Sequence, residues 1–337
     1  MPVPIILPML YPHALTRRSL LLALATGTPL HLRAQATAVV DETWLDASRQ
    51  RPLPVKIRWP DKPGAVLPVL LYSHGLGGSR DGGAVWGQAW ADAGFLVVHL
   101  QHPGSDTDAA RAAGLNRAAL RSAGSLGSGE QLRQRLQDVV FALDEIGRRQ
   151  RTGQGGWARA RPDAVGLGGH SIGAHTTLGM AGQSYSGFAG MDEPRLAAFI
   201  ALSPALPVAG DATQAFARVT RPALVVTGTR DDDVLETGVT PERRRAVFTA
   251  LPPGGKALLV LQDADHMTMG GGTGAIQRHF MQARRDESSR EKEERHHAQL
   301  AQVTTNWWRA NLLGDADARA RLVHPAGLGA GDVWQQK

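Results

Sequence analysis

Short apolar runs recur along the chain, at residues 53–59, 67–73, 94–100, 163–168, 197–202, 223–227 and 256–261, with longer segments between them. That alternation predicts a largely parallel sheet of seven or eight strands whose crossovers are helices, an α/β architecture. Between the third and fourth runs, residues 131–146 place Leu132, Leu136, Val139, Val140 and Leu143 at helical spacing. Charges are assigned to the other face, so this segment reads as a crossover helix packed on the sheet. Trp307 and Trp308, in an apolar segment near the C-terminus, read as core packing.

Three stretches fit the alternation poorly. Residues 104–129 are rich in Gly, Ser, Ala and Arg directly after a strand end and predict a small cap or excursion beside the strand-end loops. Residues 283–297 are densely charged and predict a solvated helical stretch, and the Ala- and Gly-rich tail after Leu313 is expected to fray.

Composition narrows the class. The 337 residues are 42% hydrophobic and 20% charged, which excludes a disordered or fibrous chain. No linker divides them, so residues 37–337 read as one domain. The absence of cysteine excludes a disulfide framework, a thiolate metal site and a cysteine nucleophile together. Net charge is +6, but Arg17, Arg18 and Arg33 lie in the first 36 residues, which hold no acid. The remaining charge is spread along the chain, and no basic run is interleaved with aromatics, so no nucleic-acid partner is expected.

The first 36 residues contain Thr16-Arg17-Arg18-Ser19-Leu20-Leu21-Leu22, a mild apolar stretch to Leu32 and Ala34-Gln35-Ala36. Paired arginines, a short apolar region and an Ala-x-Ala end predict a twin-arginine export signal cleaved after Ala36, and a periplasmic or secreted product. The apolar stretch, broken by Thr26, Gly27, Thr28 and Pro29, is too short to span a bilayer of roughly 30 Å. No stable membrane span is therefore expected after processing.

Gly169-His170-Ser171-Ile172-Gly173 fits the G-x-S-x-G nucleophile elbow. With 39 glycines in the chain the pattern alone would arise by chance in about one such chain in five, so its flanks decide. An apolar strand at 163–168 leads in and a plausible helix at 174–181 leads out, as a nucleophile on a sharp strand-to-helix turn requires. Side chains at Gly169 or Gly173 would collide with the neighbouring strand and helix.

A serine nucleophile needs a base to take its proton and an acid to orient that base. Asp231-Asp232-Asp233 follows the strand at 223–227, and His266 follows the strand at 256–261, giving the order serine, acid, histidine. Asp231 is preferred because it lies nearest the strand, with Asp232 and Asp233 as alternatives. Asp263 and Asp265 are read as turn residues. For the oxyanion, one N–H should come from Ile172 and the second from Leu76, in the glycine-rich turn Ser73-His74-Gly75-Leu76-Gly77-Gly78. His74 is expected to brace this loop and His170 to pack under the elbow. Adjacent His296 and His297 would point about 100° apart on a helix, so no metal is expected.

Residues 72–80, His102-Pro103-Gly104-Ser105-Asp106 and 169–173 together resemble one branch of the α/β-hydrolase superfamily. This branch is the bacterial predicted dienelactone hydrolases, similar to platelet-activating-factor acetylhydrolases. The resemblance extends over roughly residues 50–313. It implies an α/β-hydrolase fold and hydrolysis of small or lipid-like carboxylic esters through an acyl-serine, without cofactor. Two positions depart from the branch: Ser203 stands where the acetylhydrolases place the triad acid, and dienelactone hydrolases use a cysteine nucleophile. Acyl transfer, peptide cleavage or polyester depolymerisation on the same triad, and a non-catalytic binding role on the same scaffold, are the alternative expectations.

Overall fold

In the computed structural model, residues 37–114, 127–207, 209–232, 238–271 and 287–337 are described. The expected export signal, residues 115–126 of the expected cap, and Asp233 lie outside them.

Among the described residues nine strands form one sheet: β1 (Ala38–Asp46), β2 (Arg51–Trp59), β3 (Leu67–Ser73), β4 (Leu96–Leu100), β5 (Ala160–His170), β6 (Leu196–Leu202), β7 (Ala223–Arg230), β8 (Lys256–Asp265) and β9 (Val333–Gln336). Their order is β1-β2-β4-β3-β5-β6-β7-β8-β9. The six strands from β4 to β8 pair in parallel, while β1, β2 and β9 pair antiparallel at the two sides. This is a mixed, mostly parallel α/β-hydrolase sheet, with every strand run expected from the sequence in place and two more at its edges.

The extra strands carry no continuous apolar run. In β1, Val39 and Val40 face solvent and the burial is confined to Trp44 and Asp46. Strand β9 is four residues long, yet it closes the β8 edge, with Leu258 opposite Gln335 and Leu259 opposite Trp334. The tail after Leu313 is therefore ordered, contrary to the frayed end expected from its Ala and Gly content. The Trp334 indole donates to the Leu322 carbonyl at 2.8 Å, which ties the strand to the preceding helix.

The helices are α1 (Ala84–Asp92), α2 (Thr107–Ala112), α3 (Gly129–Thr152), α4 (Ile172–Met180), α5 (Ala212–Phe216), α6 (Pro241–Ala250), α7 (His266–Gly270), α8 (Glu287–Glu291), α9 (Glu293–Leu312) and α10 (Ala316–Val323). Side chains alternate across a strand, and here both faces are covered. Leu67, Val69 and Leu71 of β3 join Leu136, Val139 and Leu178 in one core, while Leu70 and Tyr72 join Trp86, Trp90, Trp307 and Trp308 in the other. Trp90 and Trp308 meet edge to face at 5.7 Å.

Two expectations about charge need correction. The stretch read as solvated carries a buried face, with Ser289 and His296 fully enclosed and His296 Nε2 bonded to the Gln262 carbonyl at 2.9 Å. Helix α3 holds Arg135 and Asp138 on its buried face among Leu132, Leu136 and Val139.

Candidate active site

Strand β5 runs straight into α4 through Ser171, whose φ of 58° and ψ of −119° put a non-glycine residue in a strained turn. The turn is held on both sides. Ser171 N–H donates to the Leu202 carbonyl at 2.9 Å, and its own carbonyl accepts from Ala174 and His175. Glycine is needed at both flanks, because a Cβ at Gly173 would overlap the Ser73 carbonyl and one at Gly169 would overlap the Gly173 carbonyl. This close approach of β3, the elbow and α4 is the physical content of the G-x-S-x-G spacing.

His266 opens α7 directly after β8, and Asp231 follows β7. Because these strands are adjacent and parallel, both residues emerge at the same end of the sheet. Their side chains meet, with His266 Nδ1 2.8 Å from Asp231 Oδ1. A carboxylate accepts, so Nδ1 carries the proton and Nε2 bears the lone pair. The other carboxylate oxygen accepts from the Thr227 hydroxyl at 2.7 Å. Burial pushes the Asp231 carboxyl up, but the hydrogen bond from His266 and the Arg244 charge outweigh it and hold the group at about 2. Asp232 is exposed and turns its N–H to the Arg230 carbonyl. Asp265 caps α7 in a capping box with Thr268, while Asp263 pairs with Arg230 and Lys292.

The loop after β3 passes beside the elbow: a Cβ at Gly75 would lie 3.5 Å from Ser171 Cβ. His74 Nε2 accepts from the His102 N–H at 3.0 Å, so His74 Nδ1 bears the proton and donates to the Gly75 carbonyl at 2.6 Å. Gly77 N–H donates to the Ser105 carbonyl, and Gly78 N–H to the Gly75 carbonyl. Among the described residues, the bonds that fix the loop leave out the Leu76 N–H. Ile172 is the first residue of α4, where N–H groups have no intrahelical acceptor. His170 lies under the elbow, its ring 4.6 Å from that of His266 and its Nε2 bonded to the His266 carbonyl.

Arg244, from α6, completes the surroundings of Asp231. It is buried, and its Nε lies 2.8 Å from the Asp231 carbonyl and 2.9 Å from Asp231 Oδ1, while Nη1 donates to the Ser203 carbonyl at 2.8 Å. Nothing local marks it, since α6 reads as a polar helix in which Arg243, Arg244 and Arg245 look alike. Among the described residues no group of three or more His, Cys, Asp or Glu is placed to hold a metal ion.

The family model of platelet-activating factor acetylhydrolase, isoform II, matches residues 34–147. The match takes in β1 to β4, the glycine-rich loop and most of α3, and ends before the elbow. No curated protein matches the chain. Fold and match agree: this is an α/β-hydrolase fold similar, over that segment, to the acetylhydrolase branch of ester-cleaving hydrolases.

Proposed function

We propose that the protein is a serine carboxylic ester hydrolase with Ser171 as nucleophile, His266 as general base and acid, and Asp231 as the orienting acid. The observation that carries this reading is the 2.8 Å bond from His266 Nδ1 to the buried Asp231 carboxylate at the strand ends that also present the strained Ser171 turn. In the reaction, His266 Nε2 takes the Ser171 hydroxyl proton as Oγ bonds to the ester carbonyl carbon. The carbonyl oxygen becomes an oxyanion, held by the N–H groups of Ile172 and Leu76. Collapse breaks the bond to the alcohol oxygen, which leaves with the proton from His266. Water then repeats the sequence on the acyl-serine and releases the acid. Asp231 stays ionised throughout and stabilises the imidazolium. Export by the twin-arginine route, with cleavage after Ala36, belongs to the same proposal and rests on Arg17, Arg18 and Ala34-Gln35-Ala36.

The test is fluorophosphonate labelling of the purified protein with peptide mapping, beside a p-nitrophenyl ester series from acetyl upward. The series starts at acetyl because the matched family is named for an acetylhydrolase. A single adduct on Ser171, turnover of esters, and loss of both in Ser171→Ala are expected. Turnover retained in Ser171→Ala would overturn the reading. Acyl transfer to added alcohol in preference to water would move the assignment to an acyltransferase on the same triad.

A further inference from the structure

A second serine–histidine–aspartate relay lies in the interior, beside the loop that carries Leu76. Ser73 Oγ is 2.9 Å from His102 Nε2, and His102 Nδ1 is 3.0 Å from Asp138 Oδ2. Asp138 is gripped by Arg51, whose Nε and Nη2 reach its two oxygens at 2.7 and 3.0 Å. All three relay residues are 0% exposed, so Ser73 cannot meet a substrate. The geometry of a triad is used here for something other than nucleophilic attack.

What it contacts indicates the use. Arg135, also 0% exposed, donates from Nε to Ser105 Oγ at 2.8 Å, and from Nη1 to the His74 carbonyl at 2.8 Å and Ser73 Oγ at 3.4 Å. Ser105 in turn gives its carbonyl to Gly77 N–H, and the backbone N–H of His102 holds His74 Nε2. Leu76 is thereby pinned from both sides, at His74 and at Gly77. Arg135 Nη2 also lies 3.4 Å from His74 Nδ1, and the charges of Asp138 and Asp106 join the bonds to the loop in offsetting the desolvation of a guanidinium kept in the interior.

We propose that Arg135, backed by the Ser73–His102–Asp138 relay, is the positioning assembly of the oxyanion loop. It touches no reacting atom; it fixes the Leu76 N–H where negative charge develops on the substrate. The inference rests on the ester-hydrolase reading above. It gives a physical role to the segment His102-Pro103-Gly104-Ser105-Asp106 and to the two charges that interrupt the apolar face of α3.

The test compares wild-type protein, Arg135→Met, Arg135→Ala, Ser105→Ala, Ser73→Ala and the exposed control Arg148→Met on the same helix. Readouts are kcat and KM on p-nitrophenyl acetate, the rate of fluorophosphonate labelling of Ser171, and Tm. Arg135→Met is expected to lose roughly 100-fold in kcat with KM within about threefold, as removal of an oxyanion donor does. Ser105→Ala and Ser73→Ala should lose roughly tenfold, and labelling should slow in step. Methylguanidinium should restore part of kcat in Arg135→Ala, which a general loss of stability would not allow.

If the Arg135 variants do not fold, the two serine variants decide. A kcat within threefold of wild type in both, whatever their Tm, overturns the proposal, as does a folded Arg135→Met with wild-type kcat. Failure of the wild-type protein to label at Ser171 would instead remove the underlying ester-hydrolase reading.

Discussion

Arg244 binds Asp231 twice with one nitrogen, 2.8 Å from its backbone carbonyl and 2.9 Å from its carboxylate. The same guanidinium reaches the Ser203 carbonyl, so it ties the end of β6 to the end of β7 beneath His266. Arg244→Met removes these bonds and leaves a buried carboxylate short of a cation. The expected outcome is a loss of about 3 kcal/mol in stability and roughly tenfold to 100-fold in kcat, with KM little changed. Guanidinium chloride unfolding and steady-state kinetics on the same preparation check both parts. Wild-type kcat in a destabilised variant would confine Arg244 to a structural role.

Asp231 and Asp232 are neighbours in sequence and opposites in environment, one enclosed and bonded to His266, the other exposed. Asp231→Asn should lower kcat by roughly 10³- to 10⁴-fold, because an amide favours the wrong tautomer of the imidazole. Asp232→Asn should stay within about twofold. Equal, mild effects would reject Asp231 as the orienting acid.

The core of this fold is legible because a strand with helices on both faces must be apolar through its middle, as residues 67–71, 96–98, 196–202, 223–226 and 257–261 are. The elbow is legible for a related reason: two glycines at fixed spacing around a serine report backbone contacts that no other residue permits. What stays hidden depends on relations distant in sequence. β1 and β9 are edge strands with at least half their positions in solvent, so they lack the apolar signal. Arg244 meets Asp231 only after α6 folds back on β7. Arg135 and Asp138 were readable in part, since they fall in line with Leu132, Leu136 and Val139, and a charge on an apolar helix face marks a buried polar network. Their targets, the His74 carbonyl and His102, could be identified only in three dimensions.

The ordered tail gives a prediction about stability. Deleting Val333–Gln336 and Lys337 uncovers the β8 edge from Ala257 to Val260 and removes the anchor of Trp334 on Leu322. A truncation after Asp332 should lower Tm by several degrees and raise aggregation, since an exposed apolar edge pairs with other chains. Kinetic constants measured well below Tm should hold, because β9 lies on the far side of the β8 backbone from β7. Unchanged Tm and solubility would mean that β9 contributes little.

Acid should unfold the protein early, and the cause is its buried histidines. Burial holds His99 down to about 3 and, with the Arg135 charge, His102 to about 4, while His175 lies at about 4 for the same reason. An unfolded histidine titrates near 6.5, so between there and these lowered values the unfolded chain binds more protons than the folded one. Stability is therefore fully present above about pH 6.5 and falls as pH drops through 6 and 5. Asp231 and Asp138, each held at about 2, add a further loss in the same direction below about pH 4. His99 is the residue to alter, because among the described residues its Nδ1 bonds the Gly82 carbonyl alone and it stands apart from the proposed catalytic groups. In His99→Gln the slope of unfolding free energy against pH between 5 and 6.5 should fall by up to about 1.4 kcal/mol per unit, the value for one proton. Denaturant unfolding at half-unit steps from pH 4.5 to 7.5 measures it. A slope identical to wild type would show that His99 takes up no proton on unfolding in this range.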